Sequence, residues 1–82
     1  MDYIICHFTL FDLHQKVYYK NDVVAISTNE DLGENIANLC NKYNCNKVHL
    51  YGNEEYAAGI IEDIHIYSGT KYGINNIEIE VN

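Results

Sequence analysis

Arginine and proline are both missing from this chain of 82 residues. Five lysines supply its whole permanent positive charge, against twelve Asp and Glu, for a net charge of −7. Proteins that bind DNA or RNA directly need cationic side chains to displace counterions, and arginine is their favoured reader of bases and phosphates. Here arginine is absent and the five lysines are outnumbered by carboxylates, which argues against direct nucleic-acid binding. No apolar run approaches the roughly 20 residues of a membrane helix, so no membrane partner is expected. The chain does not open on a basic stretch, an apolar segment and a small-residue cleavage site. Its three cysteines, Cys6, Cys40 and Cys45, are an odd number without framework spacing. Both features point to a reducing, cytoplasmic setting. With no low-complexity run and no internal repeat, residues 1–82 read as one domain, near the lower size limit for a self-sufficient core.

What is present in excess is negative charge. Acidity serves solubility in many proteins, and it also attracts basic partners and speeds their encounter.

The most informative stretch is Lys47–Tyr67. Val48 and Leu50 alternate with His49 and Tyr51, the period of a strand with one buried face. Gly52-Asn53 ends the strand, and Asn53 is a good N-cap for a helix with Glu54 and Glu55 in its first turn. Ala57, Ile60, Ile61 and Ile64 form one apolar stripe, with Glu62 and Asp63 pointing away. Gly69 reads as the stop, and Ser68–Gly73 as a loop. A strand feeding such a helix implies a crossover to a parallel strand, expected at Ile74–Val81.

Upstream, Asp2–Leu13 reads as a central strand, with Ile4, Cys6, Phe8 and Leu10 on one face and Tyr3, Ile5, His7, Thr9 and Phe11 on the other. Asp12–Gln15 reads as a turn, Lys16–Lys20 as a second strand, Asn21-Asp22 as a tight turn and Val23–Ser27 as a third strand. Ser27-Thr28-Asn29-Glu30 has the form of a capping box, with Ser27 or Asn29 as cap. A helix follows to about Tyr43, its stripe made of Leu32, Ile36, Leu39, Cys40 and Tyr43, with Gly33 inside it at a cost of ~1 kcal/mol. The predicted order is β-β-β-α-β-α-β: an α/β (α+β), two-layer domain with a mixed five-stranded sheet, order 3-2-1-4-5, and both helices on one face. In element order alone this is similar to the ribonuclease-H-like and actin-like folds.

That resemblance carries no site. Ribonuclease-H-like nucleases hold metal ions with carboxylates on the first strand, near the end of the fourth and on helices. Here strand one reads Ile5-Cys6-His7-Phe8 at its middle, and strand four carries no acid. Two-metal chemistry needs several converging oxygens. Cys40, Cys45 and His49 lack zinc-site spacing. Cys6 and His7 point to opposite faces of one strand, so they form no nucleophile–base pair. The Gly-containing segment Ser68–Gly73 precedes a strand rather than a helix, unlike a phosphate loop, and Glu54 and Glu55 would repel an anion at the Asn53 turn. No catalytic residue, metal or cofactor is assigned.

Contact surfaces are the better candidates. The sheet face left bare by the helices should present Tyr3, Ile5, His7, Phe11, Tyr18, His49 and Tyr51, an aromatic set where Lys, Thr and Glu would be ordinary. Tyr67–Gly73 has the composition of a contact loop, with Tyr67, Lys71 and Tyr72 available; an ordinary connector is the alternative. Glu54, Glu55, Glu62 and Asp63 would meet a basic partner. The leading reading is a non-enzymatic protein-binding module with a basic protein partner, alone or as a homo-dimer or higher oligomer. Its size, missing arginine and acidity would suit a phage or mobile-element inhibitor of a basic host surface, as anti-CRISPR proteins are. The alternatives are a homo-oligomeric binder of a small molecule such as a nucleotide, and a degenerate ribonuclease-H-like hydrolase.

Overall fold

Hydrophobic alternation and helical stripes resolve into seven elements. A computed structural model describes residues 2–82: strands β1 (Ile4–His7), β2 (His14–Tyr19) and β3 (Asp22–Thr28), helix α1 (Leu32–Lys42), strand β4 (Lys47–Tyr51), helix α2 (Glu54–Tyr72) and strand β5 (Glu78–Val81). The five strands form one mixed sheet in the order β3-β2-β1-β4-β5, as expected. β1, β2 and β3 make an antiparallel meander, whereas β4 and β5 run parallel to β1. Both helices cover the same face. Ile4 and Cys6 of β1, Val17 of β2, Val48 and Leu50 of β4, Leu32 and Ile36 of α1 and Ile64 of α2 are fully buried between sheet and helices.

Local chemistry explains where the elements stop. β1 ends at His7 rather than continuing to Leu13. The reason is Gln15, a buried residue whose side chain takes over hydrogen bonds a longer strand would make with its neighbour. The two hydrogens of its Nε2 are shared among the Thr9 carbonyl (2.7 Å), Asn29 Oδ1 (2.7 Å) and the more distant Asp12 carbonyl (3.1 Å), and its Oε1 accepts from the Thr9 N–H (3.2 Å). The β2–β3 turn lies one residue earlier than expected. Lys20 and Asn21 are the pair with positive φ, 51° and 69°, which suits the right-handed twist of a two-residue hairpin.

The capping box at Ser27–Glu30 does not form. α1 begins at Leu32 behind Asp31, and a small side-chain loop precedes it: the Asp31 N–H donates to Thr28 Oγ1 (3.3 Å), and that hydroxyl donates to Asp31 Oδ2 (3.1 Å). Ser27 is buried instead, donating to the Thr28 carbonyl and accepting from Asn35. Gly33 therefore sits in the first turn of α1, where the crossing of the two helices requires it. A Cβ there would collide with Cβ of Asp63 and lie 3.1 Å from the Ile60 carbonyl of α2.

α2 starts at the expected cap, with Asn53 Oδ1 accepting from the Glu55 N–H at 2.8 Å. It runs past Gly69 to Tyr72 and is closed by Gly73, whose φ of 66° is left-handed and whose N–H donates to the Gly69 carbonyl. Ser68–Tyr72 is thus helix, not loop. The expected stripe is partly right: Ala57 and Ile64 are buried, Ile60 and Ile61 only half-buried, and Ser68 extends the buried line by one turn. The last strand is shorter than Ile74–Val81, because Ile74–Ile77 descend from the helix before pairing begins at Glu78.

Candidate interaction surfaces

The sheet face opposite the helices is uncovered. It carries Tyr3, Ile5, His7, Tyr18, His49 and Tyr51, as alternation along β1, β2 and β4 requires. Cross-strand pairing puts Val23, Tyr18, Ile5, His49 and Glu80 in one row across all five strands. The next row holds Ile26 beside Lys16, and His7 beside Tyr51. The rings lie against one another: His7 stacks on Tyr51 at 4.3 Å between centroids, Tyr51 on His49 at 4.2 Å, and Tyr3 tilts over His49 at 5.7 Å. This explains why Tyr3, His49 and Tyr51 are half-buried with nothing above them.

His49 is held from three sides. Tyr51 Oη lies 3.1 Å from its Nδ1, the Asn82 amide contacts its Nε2, and Glu80 is 3.8 Å from the same nitrogen. At the same edge Lys47 Nζ is 2.9 Å from Glu78, whose carboxylate raises the lysine pKa. Beside these rows a groove of about 890 Å³ runs between Ile5, His7, Tyr18 and the approach to β2 at Asp12 and Leu13.

Phe11 is not part of this face. It projects from the β1–β2 loop with 98% of its surface exposed, close to Leu13 at 82%. Leu13, Val23 and Ile26 were not singled out from the sequence. The signal for Leu13 was there, since Leu10, Phe11 and Leu13 crowd around a single aspartate in a segment too apolar for an ordinary turn.

Tyr67, Lys71 and Tyr72 do not form a contact loop. They lie on the last turns of α2, and two of them bind α1. Lys71 Nζ is 2.7 Å from Glu34, which raises the lysine pKa, and it also lies over the Tyr67 ring; Tyr72 Oη donates to Asn38 Oδ1. Comparison with protein-family models, with curated proteins and with solved structures gave no match. The side chains are therefore the whole basis for a functional reading.

Glu54, Glu55, Glu62 and Asp63 all sit on α2, the first three exposed. With Glu30, Asp31 and Glu34 at the start of α1, the helical layer holds seven carboxylates against two lysines, Lys42 and Lys71. Five of the seven net negative charges lie on this side of the molecule. The outward surface of α2 is not simply polar, however. Tyr56, Ala58, Gly59 and Ile66 are exposed on it beside the glutamates, with Tyr56 and Ile66 about half exposed (49% and 48%). Gly59 faces open space, and an ordinary surface helix would carry a polar residue or alanine there.

The thiols are placed as packing groups. Burial pushes Cys6 up to about 11 and Cys40, with a smaller contribution from neighbouring Cys45, up to about 12. Cys40 is on the core side of the sheet and His49 on the bare side, so Cys40, Cys45 and His49 do not converge. Among the described residues no three His, Cys, Asp or Glu side chains are placed to share a metal ion.

Proposed function

We propose that this chain is a binding module that presents the outward surface of α2 to a basic protein partner. The observation that carries the reading is the make-up of that surface. An exposed helix normally pairs a buried stripe with a uniformly polar one, yet Tyr56, Gly59 and Ile66 are exposed here on the same helix as Glu54, Glu55 and Glu62. Apolar anchors inside a rim of one charge sign are the usual composition of a docking surface. The net charge of −7 adds long-range attraction for a cationic partner. Blocking a basic host surface, as a phage or mobile-element inhibitor does, is one use for such a module, and the same charge distribution supports it.

The test is a quadruple variant, Glu54→Gln, Glu55→Gln, Glu62→Gln and Asp63→Asn, against a partner captured from lysate and then purified. Its on-rate should fall more than its off-rate rises. Wild-type association should also slow as salt passes ~0.15 M, where screening acts within ~8 Å. A partner that binds the quadruple variant at the wild-type rate, or binds equally well in high salt, would sink the reading.

A second reading, a small-ligand site, has one observation in its favour. A cleft of about 480 Å³ opens where the parallel strands β1 and β4 end, between Phe8, Phe11, Asn53 and Tyr56. Carboxyl ends of parallel strands are where such sheets bind ligands. Glu54 and Glu55, next to Asn53, favour a neutral ligand there over a nucleotide.

A further inference from the structure

We infer that two copies of this chain pack through their bare sheet faces, related by a two-fold axis, with both helical layers turned outward. The proposal concerns a different surface from the one assigned to the basic partner. Any contact between two copies at −7 each is opposed by repulsion, unless the charge is unevenly placed. It is unevenly placed. On the bare face Lys16 and Lys47 balance Glu78 and Glu80, leaving only Asp12 at the rim of the groove, whereas the helical layer holds five net negative charges. Apposing the sheet faces brings the two near-neutral surfaces together and keeps the two acidic ones apart, on opposite sides of the assembly.

Composition points the same way. The half of the face built on β1, β2 and β3 exposes Ile26 at 63%, Val23 at 47% and Leu13 at 82%, around the half-buried Ile5 and Tyr18. No charged side chain other than Lys16 lies within the two rows, apart from Glu80 at the β5 edge. The apolar residues thus occupy the β3 side and reach Ile5 on the central strand, while the carboxylates stand at the β5 rim, and depletion of charge away from a polar rim is the layout of a protein interface. Protein partners of ordinary size bury about 800 Å² each. That is about a sixth of the 5080 Å² surface of this chain, a share that one face of a two-layer domain supplies.

A two-fold axis is the simplest operator for a surface that must match itself, and it closes the assembly at two copies. The stacked rings of Tyr3, His49, Tyr51 and His7 then act as a preformed platform. Their rotamers are fixed by one another before contact, so little side-chain freedom remains to be lost on binding.

The experiment is mass by light scattering and sedimentation equilibrium on the purified chain from 10 to 500 µM, at neutral pH and moderate salt. The expected result is twice the 9.5 kDa of one chain. Ile26→Glu puts a charge at an exposed apolar position on the β3 side of the face and should shift the dissociation constant upward at least tenfold. Tyr18→Glu in the neighbouring row should do the same. Because Ile26 is largely exposed, its variant keeps the fold, which an unchanged thermal transition would verify. The quadruple variant of α2 should keep the dimer mass, which separates this proposal from the preceding one. A monomer throughout the concentration range overturns the inference. So does a dimer that ignores both face substitutions, or a monomer whose face variants lose a different protein.

Discussion

Gly33→Ala and Gly59→Ala add the same methyl group to two helices, and they are expected to move stability in opposite directions. At Gly59 the added carbon has no atom within 4 Å, so only the backbone effect remains. Alanine is the better helix former by ~1 kcal/mol in a helix interior. Gly59→Ala should stabilise by about that much. At Gly33 the added carbon falls on Asp63, with the Ile60 carbonyl at 3.1 Å and the Ile64 N–H nitrogen at 3.3 Å. Two of those three are backbone atoms of α2, which cannot rotate out of the way as a side chain can. Carbon–carbon contacts are most favourable near ~3.5–4.0 Å, so the helices must part by roughly an ångström. Overpacking of this kind costs ~1–3 kcal/mol. The propensity gain offsets at most ~1 kcal/mol of it, and less in a first turn, which leaves a net loss of roughly 1–2 kcal/mol. The measurement is urea unfolding followed by circular dichroism. With a slope of about 1 kcal/mol per molar urea for a chain this small, the Gly33→Ala midpoint should fall by about 1–2 M and the Gly59→Ala midpoint rise by about 1 M. A Gly33→Ala midpoint at or above wild type would show that α1 and α2 do not approach as closely as described.

Two further outcomes concern the core and the thiols. Ile64→Ala, at a fully buried position, should cost ~2–5 kcal/mol, while Ile61→Ala, half-buried, should cost about half as much; equal midpoints would refute the assignment of the α2 stripe. Alkylation at pH 8 followed by mass spectrometry should modify Cys45 alone in the folded chain and all three cysteines in urea, because Cys6 and Cys40 are pushed to about 11 and about 12. Both folded-state values lie above the ~8.5 of an unfolded thiol, so the stability they contribute is whole below that pH and is lost as pH rises towards 11 and 12. Rapid modification of Cys6 or Cys40 in the native state would contradict their placement.

The elements that could be read in advance were those whose sequence carries a single strong period. Val48 and Leu50 mark β4, Ile77 and Ile79 mark the approach to β5 and the strand itself, and Asn53 marks the start of α2, because its side chain satisfies an orphan N–H whatever the rest of the fold does. The misreadings occurred where a distant residue decides. Gln15 ends β1 through contacts with Thr9, Asp12 and Asn29, and nothing local in Phe8–Leu13 announces it. α2 continues past Gly69 because the left-handed position is at Gly73, and both glycines look alike from composition. The aromatic face was legible by alternation alone, except for Phe11, whose parity was counted along a strand that had already ended. The concentration of charge on the helical layer was legible as well, since Glu54, Glu55, Glu62 and Asp63 fall on the second helix whichever side of the sheet it covers.

The position of β1 at the centre of the sheet has a consequence for the order in which the fold can form. Its antiparallel neighbour β2 follows within a few residues, whereas its parallel neighbour β4 lies some forty residues downstream, with Ile4 opposite Val48. Local pairings close fast and distant parallel ones slowly. A growing chain thus holds a three-stranded meander with one side of β1 unsatisfied while α1 and β4 are still being made. During that interval the most apolar strand of the molecule is an open edge, a template for any extended segment nearby. Slowing synthesis between residues 30 and 47 should therefore lower the soluble yield of this protein more than an equal delay after β4 has paired.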